Sequence, residues 1–268
     1  MTFPEILLHG SIYAFIGIFA GLMAGIFGIG GGILVVPGLI LIFQLNQLVP
    51  ESLAMYVASG TSLAVMVFTS LASIKAHHKI AAILWPVFNK LWPGIVLGVI
   101  AGALLAEFIP TYWLKFILAV FLLFVAFKML TNRHDRLHVH FPAGWINKLI
   151  TFLIGMKSGL LGIGGGTLII PYLAYCGVKM RQIPPVSNLC TLIVGFIGAL
   201  VFLITGRKEM AAIPYATGYV YWPAVLLIAI PSSIMAPLGA KLNYLLPVKQ
   251  LKYAFIVILL LTAIKMFF

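Results

Sequence analysis

Residues 21–39, GLMAGIFGIGGGILVVPGL, return at residues 155–173 as GMKSGLLGIGGGTLIIPYL. At an offset of 134 the two stretches align without a gap, and ten of nineteen positions are identical. The shared core is Gly28-Ile29-Gly30-Gly31-Gly32 against Gly162-Ile163-Gly164-Gly165-Gly166. Three adjacent glycines put helix propensity near its floor and admit positive φ. Each pentapeptide lies inside a long apolar unit, 11–43 in one case and 146–176 in the other. A helix over residues 11–43 would rise about 50 Å against a hydrocarbon core of about 30 Å, so a break at the glycines is expected in each unit.

Composition extends this reading to the whole chain. Of 268 residues, 63% are hydrophobic and 8% charged, with a mean hydropathy of +1.16. Soluble domains carry about a quarter charged residues, so this chain cannot cover a water-facing surface. No run alternates apolar and polar with period 2, which excludes a barrel. The expected class is therefore an all-α polytopic integral membrane protein with about eight transmembrane segments. These fall at roughly 11–43, 53–74, 91–108, 113–130, 146–176, 187–205, 219–243 and 251–267. The first apolar run has no basic residue before it and no small-residue cleavage site after it, so it reads as a retained span.

The repetition continues beyond the glycines. Trp92-Pro93 matches Trp222-Pro223, and Leu114-Lys115 matches Leu251-Lys252, as Lys128-Met129 matches Lys265-Met266. The chain divides into a first repeat at 1–131, a basic cytoplasmic linker at 132–145 and a second repeat at 146–268. Four spans per half would make the repeats parallel, with nine basic residues on the N-terminal side and six opposite. Both termini are then expected in the cytoplasm, since basic loops stay inside. If the broken units are re-entrant hairpins instead, each half crosses an odd number of times and the repeats are inverted.

Broken helices in matching places of two repeats point to a transporter's substrate site, because irregular backbone at membrane depth survives only when buried or lining a cavity. The second half-helix also presents free N–H groups and a positive dipole end, which suit an anion. Candidate binding residues are Gly28, Gly30, Gly31, Gly32, Gly162, Gly164, Gly165 and Gly166. Thr61 and Ser62, within Ser59-Gly60-Thr61-Ser62, and Ser187 and Asn188 add neutral hydrogen-bonding groups after each break. Lys157, opposite Met23 in the repeat, is an ionisable group inside a span; it either pairs with a bound anion or snorkels to the interface. Glycines at four-residue spacing, Gly17, Gly21, Gly25 and Gly94, Gly98, Gly102, read as helix packing. Lys90 and the pair His77-His78 are expected at the interface. His134, His138 and His140 read as a solvated linker and not as a metal site.

Other chemistries lack their residues. Neither pentapeptide is followed by Gly-Lys-Ser/Thr, as a phosphate loop requires. All five carboxylates, Glu5, Glu51, Glu107, Asp135 and Glu209, are expected at loops or span ends. No catalytic residue, metal or cofactor is expected. The expected partners are a small anionic substrate and the lipid bilayer, with homo-oligomer formation left open; nucleic acid is not expected, because the net charge of +12 sits mainly in loops between spans.

The doubled pattern Gly-x-x-x-Gly-x-x-Gly-Ile-Gly-Gly-Gly-x-x-x-x-Pro, at Gly21 to Pro37 and Gly155 to Pro171, with Gly60-Thr61-Ser62 after the first copy, resembles the sulfite exporter TauE/SafE family. That resemblance implies an inner-membrane carrier for sulfite, sulfoacetate or a related organosulfur or organic anion. The second half departs from it, with Ser187-Asn188-Leu189 where the first has Gly60-Thr61-Ser62. An intramembrane enzyme or assembly factor for sulfur compounds and an anion channel are the competing readings.

Overall fold

The computed structural model describes residues 3–78, 83–131 and 141–245, with Tyr253, Ile256, Val257, Leu260, Ala263 and Ile264. The linker histidines His134, His138 and His140 lie outside the described residues. The described chain is helical almost throughout. Its helices are α1 (Phe3–Phe27), α2 (Gly32–Asn46), α3 (Glu51–His78), α4 (Trp85–Ala106), α5 (Thr111–Thr131), α6 (Gly144–Leu161), α7 (Gly166–Tyr175), α8 (Ile183–Thr205) and α9 (Trp222–Leu245). Five have spans long and apolar enough to cross a bilayer: Gly10–Phe27, α3, α4, α8 and α9. Outward-facing Phe15, Leu97, Phe124, Phe196 and Ile230 are each more than half exposed, as a lipid-facing surface requires.

Both long apolar units break at their glycines, between Phe27 and Gly32 and between Leu161 and Gly166. The chain then turns back instead of running on. Gly31 lies against Ala20 and Gly38 against Ile16, so α2 is antiparallel to α1. Lys157 meets Thr167 and Asn147 meets Tyr172, so α7 is antiparallel to α6. Length explains the reversal: the 25 residues of α1 rise about 37 Å and already traverse the hydrocarbon, leaving α2 nowhere to continue. The straight-through passage that gave four crossings per half is thereby corrected to a hairpin.

Helix directions follow from contacts along each pair. Thr61 meets Tyr221 and Thr69 meets Ser232, so α3 and α9 are parallel. Gly17, Gly21 and Gly25 press on Ile228, Ser232 and Ala236, making α1 parallel to α9. Gly94, Gly98 and Gly102 press in order on Thr151, Phe152 and Met156, making α4 parallel to α6. By contrast, α3 and α8 are antiparallel: Gly60 lies by Phe202, Leu63 by Gly195 and Gly198, and Ser73 by Asn188. An added Cβ on Gly21 would stand 2.3 Å from the Ser232 carbonyl oxygen, and one on Gly102 1.9 Å from that of Met156. The four-residue glycine rows therefore serve helix packing, as expected.

One feature had no signal in the hydropathy. Between α8 and α9 a two-residue hairpin pairs β1 (Ala216–Thr217) with β2 (Val220–Tyr221). Its tip points inward: Tyr219 is fully buried, donates from its hydroxyl to Glu209 and lies tilted against the Tyr56 ring, centroids 5.3 Å apart. Burial first, then the bond to Glu209, holds that phenol's pKa above its ordinary range.

Candidate substrate site at the crossing of two broken helices

The two glycine segments pass each other backbone to backbone, in opposite directions, between α3 and α8. A Cβ on Gly166 would lie 2.4 Å from the Gly28 carbonyl oxygen, one on Gly164 2.4 Å from that of Ile29, and one on Gly32 3.1 Å from that of Gly162. No side chain fits between the strands of this crossing. Gly30 and Gly31 also take φ of 78° and 81°, which other residues adopt only with strain. Ser187, expected at the site from sequence, donates to the Gly28 carbonyl at 2.7 Å and pins the first segment to α8.

Two helix N-termini converge here from opposite faces. The first ladder bonds of α2 run from Leu34 and Val35 to Gly31, and those of α7 from Leu168 and Ile169 to Gly165. The N–H groups of Gly32, Ile33, Gly166 and Thr167 thus precede their ladders and point their dipoles toward the crossing. Beside the second, Lys157 Nζ donates to Thr167 Oγ1 at 2.7 Å and lies 3.8 Å from the Phe121 ring centroid. The described carboxylates, Glu51, Glu107 and Glu209, are exposed at helix ends or loops, and Glu51 is paired with Lys115 at 3.2 Å. Lys157 consequently sits at the positive end of α7 with no carboxylate beside it among the described residues, an arrangement that favours a bound anion.

The remaining expected residues divide between two faces of α3. Ser62 is fully buried and its hydroxyl has no partner among the described residues, and the same holds for Ser59, which meets Gly162. Thr61 points elsewhere: its Oγ1 accepts from the Tyr221 amide at 3.0 Å and anchors the β1–β2 hairpin. Asn188 donates to Ser73 Oγ at 2.8 Å, and its carbonyl oxygen has no partner among the described residues. Gly165 differs from its neighbours, with helical φ of −57° and only the end of Ile169 pressing near.

Two residues of α3 stand where nothing in the sequence predicts them, Met66 at the crossing and His77 beyond it. Met66 puts its sulfur 3.3, 2.9 and 3.0 Å from the Cβ positions of Gly30, Gly32 and Gly164. His77, expected at the interface, is instead fully buried with Nε2 2.8 Å from the Gly25 carbonyl oxygen. The adjacent His78 is exposed, so only one of the pair faces water. Helical phase separates them, and an apolar α3 carrying scattered serines gave no reason to prefer either. Lys90 is exposed, 4.8 Å from the Phe141 ring centroid, in keeping with an interfacial place.

Two broken hairpins meeting inside a bundle of bilayer-length helices define a multi-pass α-helical membrane transporter. The sulfite exporter TauE/SafE model matches residues 13–266, and the chain belongs to that family. It is 36% identical over 253 residues to a "Probable membrane transporter protein" of Haemophilus influenzae, covering 94% of this chain and 96% of that one. A protein of the same description from Methanocaldococcus jannaschii is 32% identical over 257 residues, covering 92% and 91%. One from Bacillus subtilis is 23% identical over 277 residues, covering 96% and 97%. No solved structure matches the chain.

Proposed function

We propose that the protein is a secondary carrier of a small anion, of the sulfite, sulfoacetate or related organosulfur class, bound where the N-termini of α2 and α7 converge. The carrying observation is the pairing of two inward-pointing helix N-termini with Lys157, whose amine has no carboxylate partner among the described residues. Gly28, Gly30, Gly31, Gly32, Gly162, Gly164, Gly165 and Gly166 let the backbone approach, and Ser62 supplies a neutral donor, while Ser187 and Asn188, whose donors go to Gly28 and Ser73, hold the surrounding backbone and α3 in place. Thr61 acts behind them, through the hairpin it holds. The carrier is proposed to export: no carboxylate suited to a proton or sodium relay is buried among the described residues, and an anion leaving an inside-negative cell gains about 2.3 kcal/mol per charge per 100 mV.

The halves are proposed to be inverted repeats. The sequence-equivalent helices α3 and α8 run antiparallel, and α1 lies along α9 as its counterpart α6 lies along α4. With a hairpin in each half, residues 1–131 begin at one face and end at the other. Among the described residues, Lys75, Lys90, Lys148, Lys179, Arg181 and Lys241 then belong to the face where α5 hands on to α6, and Lys115, Arg207 and Lys208 to the other. The linker, with Arg133 and Arg136, joins ends on the more basic face, so we place that face in the cytoplasm of a cell inner membrane. The start of α1 then lies outside. This is proposed in place of the cytoplasmic N-terminus that parallel repeats would require.

Purified protein in liposomes should take up radiolabelled sulfite with saturation and counterflow, and Lys157→Met should abolish it. Unitary currents would indicate a channel. Saturable uptake of no anion from a panel of sulfite, sulfonates and carboxylates would sink the reading.

A further inference from the structure

One face of α3 carries more than the site uses. Ser59, Ser62, Met66, Ser70, Ser73 and His77 recur at helical spacing within an arc of about 100°. From Ser59 to His77 they rise about 27 Å, nearly the thickness of the hydrocarbon core. All six are fully buried. The stripe passes Gly162 at Ser59, the crossing at Met66, and Gly25 at His77.

Three of its four hydroxyls are not spent on packing, and the fourth, Ser73, accepts from Asn188 and donates to the Ala24 carbonyl. Among the described residues Ser59, Ser62 and Ser70 have no hydrogen-bond partner, nor does Thr191, which faces Gly30 and Gly164 from α8 across the same crossing. A helix-joining hydroxyl is different: Thr69, on the adjacent face, bonds both Ser232 and the Val65 carbonyl. Buried hydroxyls stay orphaned only at a cost, and a transient ligand supplies the missing partner. Neutral hydroxyls one turn apart suit an oxyanion, which they bind without the grip of a fixed charge.

Met66 interrupts this row at its centre, its sulfur set among three glycines drawn from both breaks. A thioether on an unbranched chain repacks readily. We propose that this face of α3 is the path of the anion and that Met66 is its movable central barrier, with Ser59 and Ser62 serving the half open to the N-terminal face and Ser70 and Ser73 the half open to the linker face. The proposal rests on the transport reading above and adds the route.

The test uses the full chain with Cys176→Ala and Cys190→Ala, carrying single cysteines at Ser59, Ser62, Ser70 or Ser73. Sealed vesicles of known orientation are exposed to a membrane-impermeant, negatively charged maleimide. Ser59→Cys and Ser62→Cys should label from the N-terminal face, and Ser70→Cys and Ser73→Cys from the linker face, each severalfold faster than Thr69→Cys. Adding Met66→Ala should let each half label severalfold faster from its far side, whereas Met66→Leu, which keeps the volume, should not. Labelling no faster than Thr69→Cys, or from one face for both halves, overturns the path. Sided labelling without sulfite uptake would leave the path standing and remove the substrate; sulfite uptake with an unreactive stripe would do the reverse.

Discussion

The glycines of the second pentapeptide look interchangeable in sequence, yet alanine should separate them. At Gly165 the backbone is helical and the nearest obstacle is the terminal carbon of Ile169, at 2.8 Å, which can rotate away. Alanine gains about 0.4–1 kcal/mol there by restricting the unfolded chain and loses a similar amount as a poorer N-cap. The net change should be within about 1 kcal/mol. At Gly164 and Gly166 the obstacles are the carbonyl oxygens of Ile29 and Gly28, each 2.4 Å away and held in the opposing segment. An added methyl must part the two segments, an overpacking cost of about 1–3 kcal/mol. At about 2–4 °C per kcal/mol for a chain of this size, Gly164→Ala and Gly166→Ala should lower the unfolding midpoint in detergent by roughly 2–12 °C. Gly165→Ala should move it little. Heating followed by fluorescence-detected size exclusion reads the difference directly. Equal damage from all three alanines, or none from Gly164→Ala, would refute the backbone crossing.

Thr61→Val should loosen the β1–β2 hairpin by about 1 kcal/mol, the value of one hydrogen bond, and lower the unfolding midpoint while leaving the sulfite KM unchanged. Lys157→Met should remove uptake without lowering that midpoint, because the position then carries the residue found at its repeat counterpart, Met23. In the background lacking Cys176 and Cys190, Ser73→Cys with Asn188→Cys should form a disulfide on oxidation, and Ser73→Cys with Val201→Cys should not, as a gel shift after protease nicking in the linker would report. An impermeant label on a cysteine added at the N-terminus should react in intact cells.

Much of the fold is legible in the sequence, because it rests on composition and on glycine. Adjacent glycines in an over-long apolar run force a break, and the observed helices end at Phe27 and Leu161, where that argument puts them. What the run could not say is whether the chain goes on or turns back. That depends on α1 reaching as far as Phe27 from Phe3, whereas hydropathy starts the span near residue 11. The site is legible as a set of residues but not as an arrangement. Thr61 and Ser62 are neighbours in sequence yet stand about 100° apart on the helix, one holding the hairpin and one facing inward. Met66 is an ordinary apolar residue until two breaks from distant parts of the chain close around its sulfur. Lys157 stands out because a charge within a span is costly, but Phe121 and Thr167, which receive it, belong to other helices.

Selenite has the shape and charge of sulfite and carries an anomalous scatterer, so crystals grown with it test the account at its centre. An anomalous peak within hydrogen-bond reach of the Gly32 or Gly166 amides and on the Lys157 side of the crossing is the expected result. A protein that transports selenite yet shows the peak only at surface lysines, with the two glycine segments drawn apart, would contradict it.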